Sequence, residues 1–134
     1  MGPTLLSFVG ENKSFAPDFG IFEIGRVCEG LKEDGSCNER KKLGIALYSR
    51  TRSEKELYFQ LIDMVKTLGR DIKRAEFRLE NIAPAHSWQH PRNTAAVTCG
   101  GDSLGWVCAL HPAVAQKLDK KAAVVCAQLD MDAF

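Results

Sequence analysis

No stretch of this chain approaches the roughly 18 consecutive apolar residues that a membrane-spanning helix requires. The N-terminus has neither the basic start nor the apolar centre of a secretion signal, so the sequence reads as a cytoplasmic protein with no membrane partner. An excess of either charge is also missing. Lys and Arg number 18 against 17 Asp and Glu, which excludes the global positive field that would by itself announce nucleic-acid binding; DNA is not expected as a partner, and any RNA contact is local or indirect. Internal repeats and low-complexity segments are absent. Paired metal-ligand spacing is absent too: eight residues separate Cys28 from Cys37 and Cys99 from Cys108, and His86 and His90 have no cysteine knuckle beside them, whereas structural zinc sites pair their ligands closely. Gly100-Gly101-Asp102 lacks the spacing and the Lys-Ser or Lys-Thr of a phosphate cradle, so it reads as a turn. No cofactor site is therefore expected in the chain.

Five cysteines, an odd number in apolar or turn contexts, suit a reducing compartment better than a disulfide framework. Cys99, Cys108 and Cys126 read as small core residues. A cysteine nucleophile paired with His86, His90 or His111 would need an electropositive niche, and nothing local supplies one. No residue is assigned a catalytic or metal-binding role. His90-Pro91 and His111-Pro112 read as turn and helix-start chemistry.

What is present is ample material for a core in one domain, residues 1–134. Residues 3 to 13 carry Leu5, Leu6, Phe8 and Val9 and read as a short helix. Phe15 to Gly20 is a turn leading into a strand over 21–28. The polar stretch from Glu29 to Lys42 reads as a solvated loop, followed by an apolar strand over 43–49 antiparallel to the first. Ser53-Glu54-Lys55-Glu56 has the spacing of a capping box. Leu57, Leu61, Val65 and Leu68 then recur at helical intervals, predicting a helix over 54–68 that Gly69 ends. Ala75, Phe77 and Leu79 alternate with Glu76, Arg78 and Glu80, a strand within 72–82 near a sheet edge. A loop over 83–92, rich in Pro and His, presents Trp88 as the aromatic exposed enough to meet a partner.

Two alternating runs, 94–99 and 104–110, flank Gly101-Asp102 as the two residues of a hairpin turn. That turn sets Cys99 opposite Leu104, Val97 opposite Trp106 and Ala95 opposite Cys108. Pro112 opens a short helix with Val114 and Leu118 on its apolar edge and Lys117, Lys120 and Lys121 at its end. A mostly buried strand over 122–130 closes the chain, with Ala123, Val125, Ala127 and Leu129 on one face. The order is helix, two strands, helix, three strands, short helix, strand. It predicts an α+β fold, a mainly antiparallel sheet with helices packed on one side.

With those residues in place, nearly the whole chain resembles the non-catalytic, class II synthetase-like core of the phenylalanyl-tRNA synthetase beta chain. Pro3-Thr4-Leu5-Leu6 resembles the family's Pro-Ser/Thr-Leu-Leu helix, and Ile21-Phe22-Glu23-Ile24-Gly25-Arg26-Val27 is similar to its Leu-Phe-Glu-Ile-Gly-Arg-Val strand. Leu57 to Gly69 stands where the family has a helix ending in Leu-Gly. His90-Pro91-Arg92-Asn93-Thr94-Ala95 is similar to His-Pro-Gly-Arg-Ser-Ala, with Arg92-Asn93 replacing Gly-Arg. Leu104-Gly105-Trp106-Val107, Leu110-His111-Pro112, Leu118-Asp119 and Leu129-Asp130-Met131-Asp132-Ala133 resemble the closing Ile-Gly, Leu-His-Pro, Leu-Asp and Glu-Leu-Asp-Leu-Asp run.

The resemblance implies a class II synthetase-like core that has lost its active site and packs on the catalytic alpha chain, where ATP and Mg would be used. It implies a structural role in attaching phenylalanine to its tRNA, with tRNA met indirectly. Phe22 to Arg26 stands where an ATP-contacting arginine strand would lie, and one arginine does not make that site. The family continues beyond the position of Phe134 into an anticodon-binding domain, so the resemblance implies a fragment of a longer beta chain or a small free-standing relative. Two rival readings remain. One is an independent RNA- or partner-binding domain using Arg40, Lys41, Lys42, Arg50 and Arg52 as a basic rim, diluted by Glu39, Glu54 and Glu56. The other is a thiol or metal enzyme.

Overall fold

Strict alternation in the last strand decides where the core lies. The computed structural model describes residues 2–12, 16–84, 86–119 and 121–131. Along the chain it has α1 (Gly2–Asn12), β1 (Asp18–Leu31), β2 (Cys37–Ser49), α2 (Glu54–Ile72), β3 (Arg78–Asn81), β4 (Gln89–Cys99), β5 (Asp102–Leu110), α3 (Pro112–Leu118) and β6 (Ala123–Asp130). The strands form one sheet in the order β1-β2-β6-β5-β4-β3, every neighbouring pair antiparallel. Ala123, Val125, Ala127 and Leu129 of β6 face α2, packing with Leu57, Leu61 and Val65. Val124 and Cys126 face the other way, with Val9 of α1 and Val114 and Leu118 of α3. Each fully buried leucine or valine of this kind stabilises the fold by about 2 kcal/mol.

The antiparallel sheet with a few helices matches the expectation, but the helices do not gather on one side. α2 covers one face and α1 with α3 the other. The cause is visible in β2, where eight consecutive residues from Lys42 to Ser49 are buried; a strand apolar on both sides needs cover on both. Expectations that rest on the side chains of Leu5 and Phe8, and on Phe15, Lys120, Asp132 and Ala133, lie outside the described residues or side chains.

Three further expectations are corrected. The polar stretch over 29–42 is not one loop. β1 runs on to Leu31 and β2 begins at Cys37, with Val27 opposite Arg40 and Arg26 opposite Lys41, so its charged residues stand on a solvated hairpin whose turn holds Asp34 and Gly35. The strand expected within 72–82 shrinks to Arg78–Asn81, because α2 continues through Gly69 to Ile72. Gly69 serves packing instead: a Cβ there would sit 2.7 Å from the Phe77 ring. The helix ends where Lys73 and Ala75 both donate N–H to the Gly69 carbonyl and Arg74 takes φ 52°, a left-handed conformation that costs a residue with a Cβ about 1 kcal/mol. β3 remains an edge strand, as expected.

The third correction is the hairpin register. Gly100 and Gly101 have φ of 60° and 89° and are the turn residues, so Cys99 pairs with Asp102, Ala96 with Trp106, Ala95 with Val107 and Thr94 with Cys108. The turn takes the pair that reaches positive φ at least cost, two glycines rather than Gly-Asp. An irregularity at Val97/Thr98 absorbs Leu104 as an extra residue and returns both strands to core alternation.

Polar ties lock the ends of the sheet. Tyr48 Oη donates to Asp119 Oδ2 at 2.5 Å, and Arg50 Nε donates to both, at 2.8 and 3.2 Å, fastening the end of α3 to β2. The Tyr48 hydroxyl, the Lys121 N–H and the Arg50 guanidinium hold the Asp119 carboxyl below its ordinary value. A depressed folded-state pKa contributes stability that is present above the ordinary carboxylate value and lost as pH falls through the depressed one. Asp119→Asn is therefore expected to lower stability by about 2 kcal/mol at neutral pH, the scale of a hydrogen bond to a charged group. Urea midpoints should converge with those of the parent chain as pH falls through the depressed carboxyl value, whereas a constant gap would contradict the assignment.

Candidate functional site

α2 stops short of the sheet's β1 edge, and this leaves a groove. On β1 the side chains of Phe22 and Ile24 lie opposite Ile45 and Leu43 of β2, so the apolar face under α2 continues beyond the helix that covers it. Phe22 is 73% exposed and Ile24 50%. Met64, Leu68 and Ile72 of α2 form the facing wall, and Met131 lies at the end, enclosing about 760 Å³. Ile72 is itself 64% exposed. Gln60, Asp63 and Thr67 edge the helix side, and Asp63 is the one ionisable residue among the described lining. A contiguous apolar concavity with a polar rim is built for an apolar partner surface. It has no convergent acid, base and nucleophile of the kind that carries chemistry.

Sequence reasoning passed over this groove because it read 21–28 as a strand without asking what covers it, and it gave the apolar face of α2 as Leu57, Leu61, Val65 and Leu68 with Tyr58 and Ile62. The signal was an excess. Met64 and Ile72 fall outside that stripe, and Phe22 and Ile24 alternate on a strand that the topology places at an edge.

The residues singled out from the sequence are scattered. Cys28 and Cys37 form a disulfide with Cα atoms 5.8 Å apart, which corrects the expectation that the cysteines suit a reducing compartment better than disulfide pairing: β1 and β2 extend past the expected strand ends, and an irregularity between Cys28 and Leu31 brings the two together. Cys108 and Cys126 are buried and directly opposed, with Sγ atoms 3.6 Å apart. That contact, reinforced by burial, pushes the Cys108 thiol up, the opposite of what a nucleophile needs. His90 Nδ1 accepts the backbone N–H groups of Arg92 and Asn93, His111 Nδ1 accepts that of Ala113 as the cap of α3, and His86 stacks on Trp88. Among the described residues no three metal-ligating side chains converge.

Trp88 was expected to stand exposed for a partner. It is instead half-buried, set edge-on to Trp106 in the cluster beneath α1 and α3. The basic rim also dissolves. Arg40 and Lys42 meet Asp130 at 2.7 and 3.6 Å, Arg50 meets Asp119 and Arg52 meets Asp18 at 3.7 Å. Lys42 and Arg50, the nearest members of the two groups, are separated by eight residues of mostly extended chain, about 26 Å, so the groups stand toward opposite ends of β2. Arg26 stands exposed beside Glu39 at 3.4 Å.

Residues 1–131 match the family described as phenylalanyl tRNA synthetase beta chain CLM domain. Similar proteins include the phenylalanine–tRNA ligase beta subunits of Thiobacillus denitrificans, 32% identical over 114 residues, and of Ralstonia nicotianae, 28% identical over 124 residues. The matches cover 84% and 85% of this chain but only 14% and 15% of those subunits, so the chain spans about one-seventh of their length. In three dimensions it superposes on two structures of the pyrrolysyl-tRNA synthetase of Desulfitobacterium hafniense, with TM-scores of 0.74 and 0.71 at 18% and 19% identity. Both superpositions cover 98% of this chain and 46% of the other. At that identity the likeness is one of fold, a class II-like synthetase sheet.

Proposed function

We propose, for a chain that belongs to the phenylalanyl tRNA synthetase beta chain CLM domain family, a non-catalytic role in the attachment of phenylalanine to its tRNA in the cytoplasm, exercised by docking on the alpha chain that performs the chemistry. The observation that carries this reading is the groove between α2 and β1. Its described lining is apolar apart from Gln60, Asp63 and Thr67, with no cation to receive a nucleotide, and it gathers Phe22, Ile24, Met64 and Ile72, four of the exposed large apolar side chains, around one concavity. ATP and magnesium belong, on this reading, to the alpha chain.

Three properties of the groove support an interface. Its floor is sheet and its wall is helix, so it is rigid before the partner arrives and little ordering entropy opposes docking. Its β1 border is an unpaired strand edge beside which a partner backbone has room to lie. Its apolar residues are clustered, as the central anchors of stable interfaces are. The test is phenylalanine-dependent exchange of pyrophosphate into ATP. The chain alone is expected to show none above a protein-free blank, and exchange by the chain alone, abolished by heat denaturation, would overturn the non-catalytic assignment.

A further inference from the structure

The opposite flank of α2, toward β3, has a different chemistry. Lys55, Phe59, Lys66 and Arg70 recur at intervals of four, seven and four residues, which aligns them along one side of a helix with 3.6 residues per turn. All four are exposed, Phe59 to 54%. Lys66, Arg70 and Arg74 then line a second groove, of about 510 Å³, closed by the segment from Ala75 to Phe77 with Glu76 on its wall. We propose that this flank seats the phosphate backbone of an RNA, with Phe59 offering its ring to an unpaired base. The inference rests on the family reading for its choice of polyanion, and it replaces the expected indirect relation to tRNA with a direct one.

Three observations separate this flank from the cations of residues 40–52. Arg40, Lys42, Arg50 and Arg52 are held by carboxylates, whereas Lys55, Lys66 and Arg74 have no carboxylate partner among the described residues; Arg70 bonds Thr67 and lies 4.0 Å from Asp71. Arg74 occupies a left-handed φ of 52°, where glycine or asparagine would sit at less cost, and an unfavourable backbone conformation kept by a charged residue points to use of that charge. Phe59 is a large ring standing in solvent among cations, the combination by which single-stranded nucleic acid is held: charge along the backbone and an aromatic face for a base. This flank also lies at the β3 edge, across the sheet from the β1 groove, so RNA and a protein partner would not compete.

The test is fluorescence anisotropy of a labelled tRNA transcript titrated with the chain at two salt concentrations, against the triple variant Lys66→Gln, Arg70→Gln, Arg74→Asn and the single variant Phe59→Gln. The triple variant is expected to bind at least tenfold more weakly and to lower the slope of log affinity against log salt by roughly 2, as loss of three phosphate contacts requires. Phe59→Gln is expected to weaken binding severalfold with the slope unchanged. Arg26→Gln, the loss of one charge on the remote hairpin, should change neither affinity nor slope by more than a small fraction of the triple variant's effect. Equal loss in the Arg26 variant, no loss in the triple variant, no binding by the parent chain, or displacement of RNA by polyglutamate or pyrophosphate at equal charge concentration would each overturn the proposal. Association with the alpha chain, measured on the same triple variant, is expected to persist; a parent chain that associates with the alpha chain but binds no RNA would remove this inference and leave the docking role standing.

Discussion

Glutamate at both Phe22 and Ile24 is expected to abolish association with the alpha chain while leaving the fold intact. The two side chains are 73% and 50% exposed, so in the isolated chain they contribute little burial and their loss should move the melting temperature by only a few degrees, the range of a surface substitution. At an interface the same positions count heavily. Truncating a central aromatic or aliphatic anchor costs about 2 kcal/mol or more, and burying two carboxylates against Leu43, Ile45 and Met64 adds a desolvation cost that no cation in the groove offsets. Together these predict a loss of roughly a thousandfold or more in affinity, the factor that about 4 kcal/mol represents. Sedimentation velocity of the mixed chains reads it directly. A double variant that still sediments with the alpha chain at micromolar concentration would show that the groove is not the docking surface.

The second large effect is expected inside the sheet. Gly105 has φ 156° and sits against the backbone of β6, so that a Cβ there would lie 1.9 Å from the Gln128 carbonyl oxygen and 3.0 Å from the Leu129 Cα. Both neighbours are backbone in a central strand and cannot turn aside as a side chain would. Gly105→Ala must therefore force β5 away from β6 at the point where Gly105 pairs with Leu129 and Trp106 with Gln128. Backbone overlap of this kind belongs with the exceptional substitutions that cost about 4 kcal/mol or more. Set against a stability of about 5–15 kcal/mol for a domain, the variant should melt on the order of 15 °C lower or fail to fold. Circular dichroism melting measures it, and a shift within about 3 °C of the parent chain would contradict the geometry.

Elements whose evidence is local were legible in the sequence. Ser53 Oγ accepts the Glu56 N–H at 3.2 Å, the capping half of the predicted box, although the Glu56 carboxylate meets the Ser53 hydroxyl rather than its backbone. Pro112 opens α3 as expected, with His111 as the cap. The alternation of Ala123 to Asp130 placed each side chain on the face it occupies. Choices that depend on distant residues were not legible. The one-residue slip in the β4–β5 register follows from which two of four turn residues reach positive φ. The end of α2 beyond Gly69 depends on Phe77 packing against that glycine, an interaction outside any helical window. Asp130 is separated from Arg40 by 90 residues, so the loss of the basic rim could be seen only once β2 and β6 lay side by side. The groove was hidden for the same reason: that Phe22 and Ile24 are uncovered is a fact about where α2 ends its cover of the sheet, not about the residues beside them.

Hydrogen exchange of the chain, followed by mass spectrometry with and without the alpha chain, tests the docking role most directly. Docking in the groove predicts slowed exchange in peptides covering residues 18–24 of β1 and 60–72 of α2, with β3 and the β4–β5 turn unchanged. Slowing confined to α1, α3 or the β3 edge, with β1 exchanging as it does in the free chain, would contradict it.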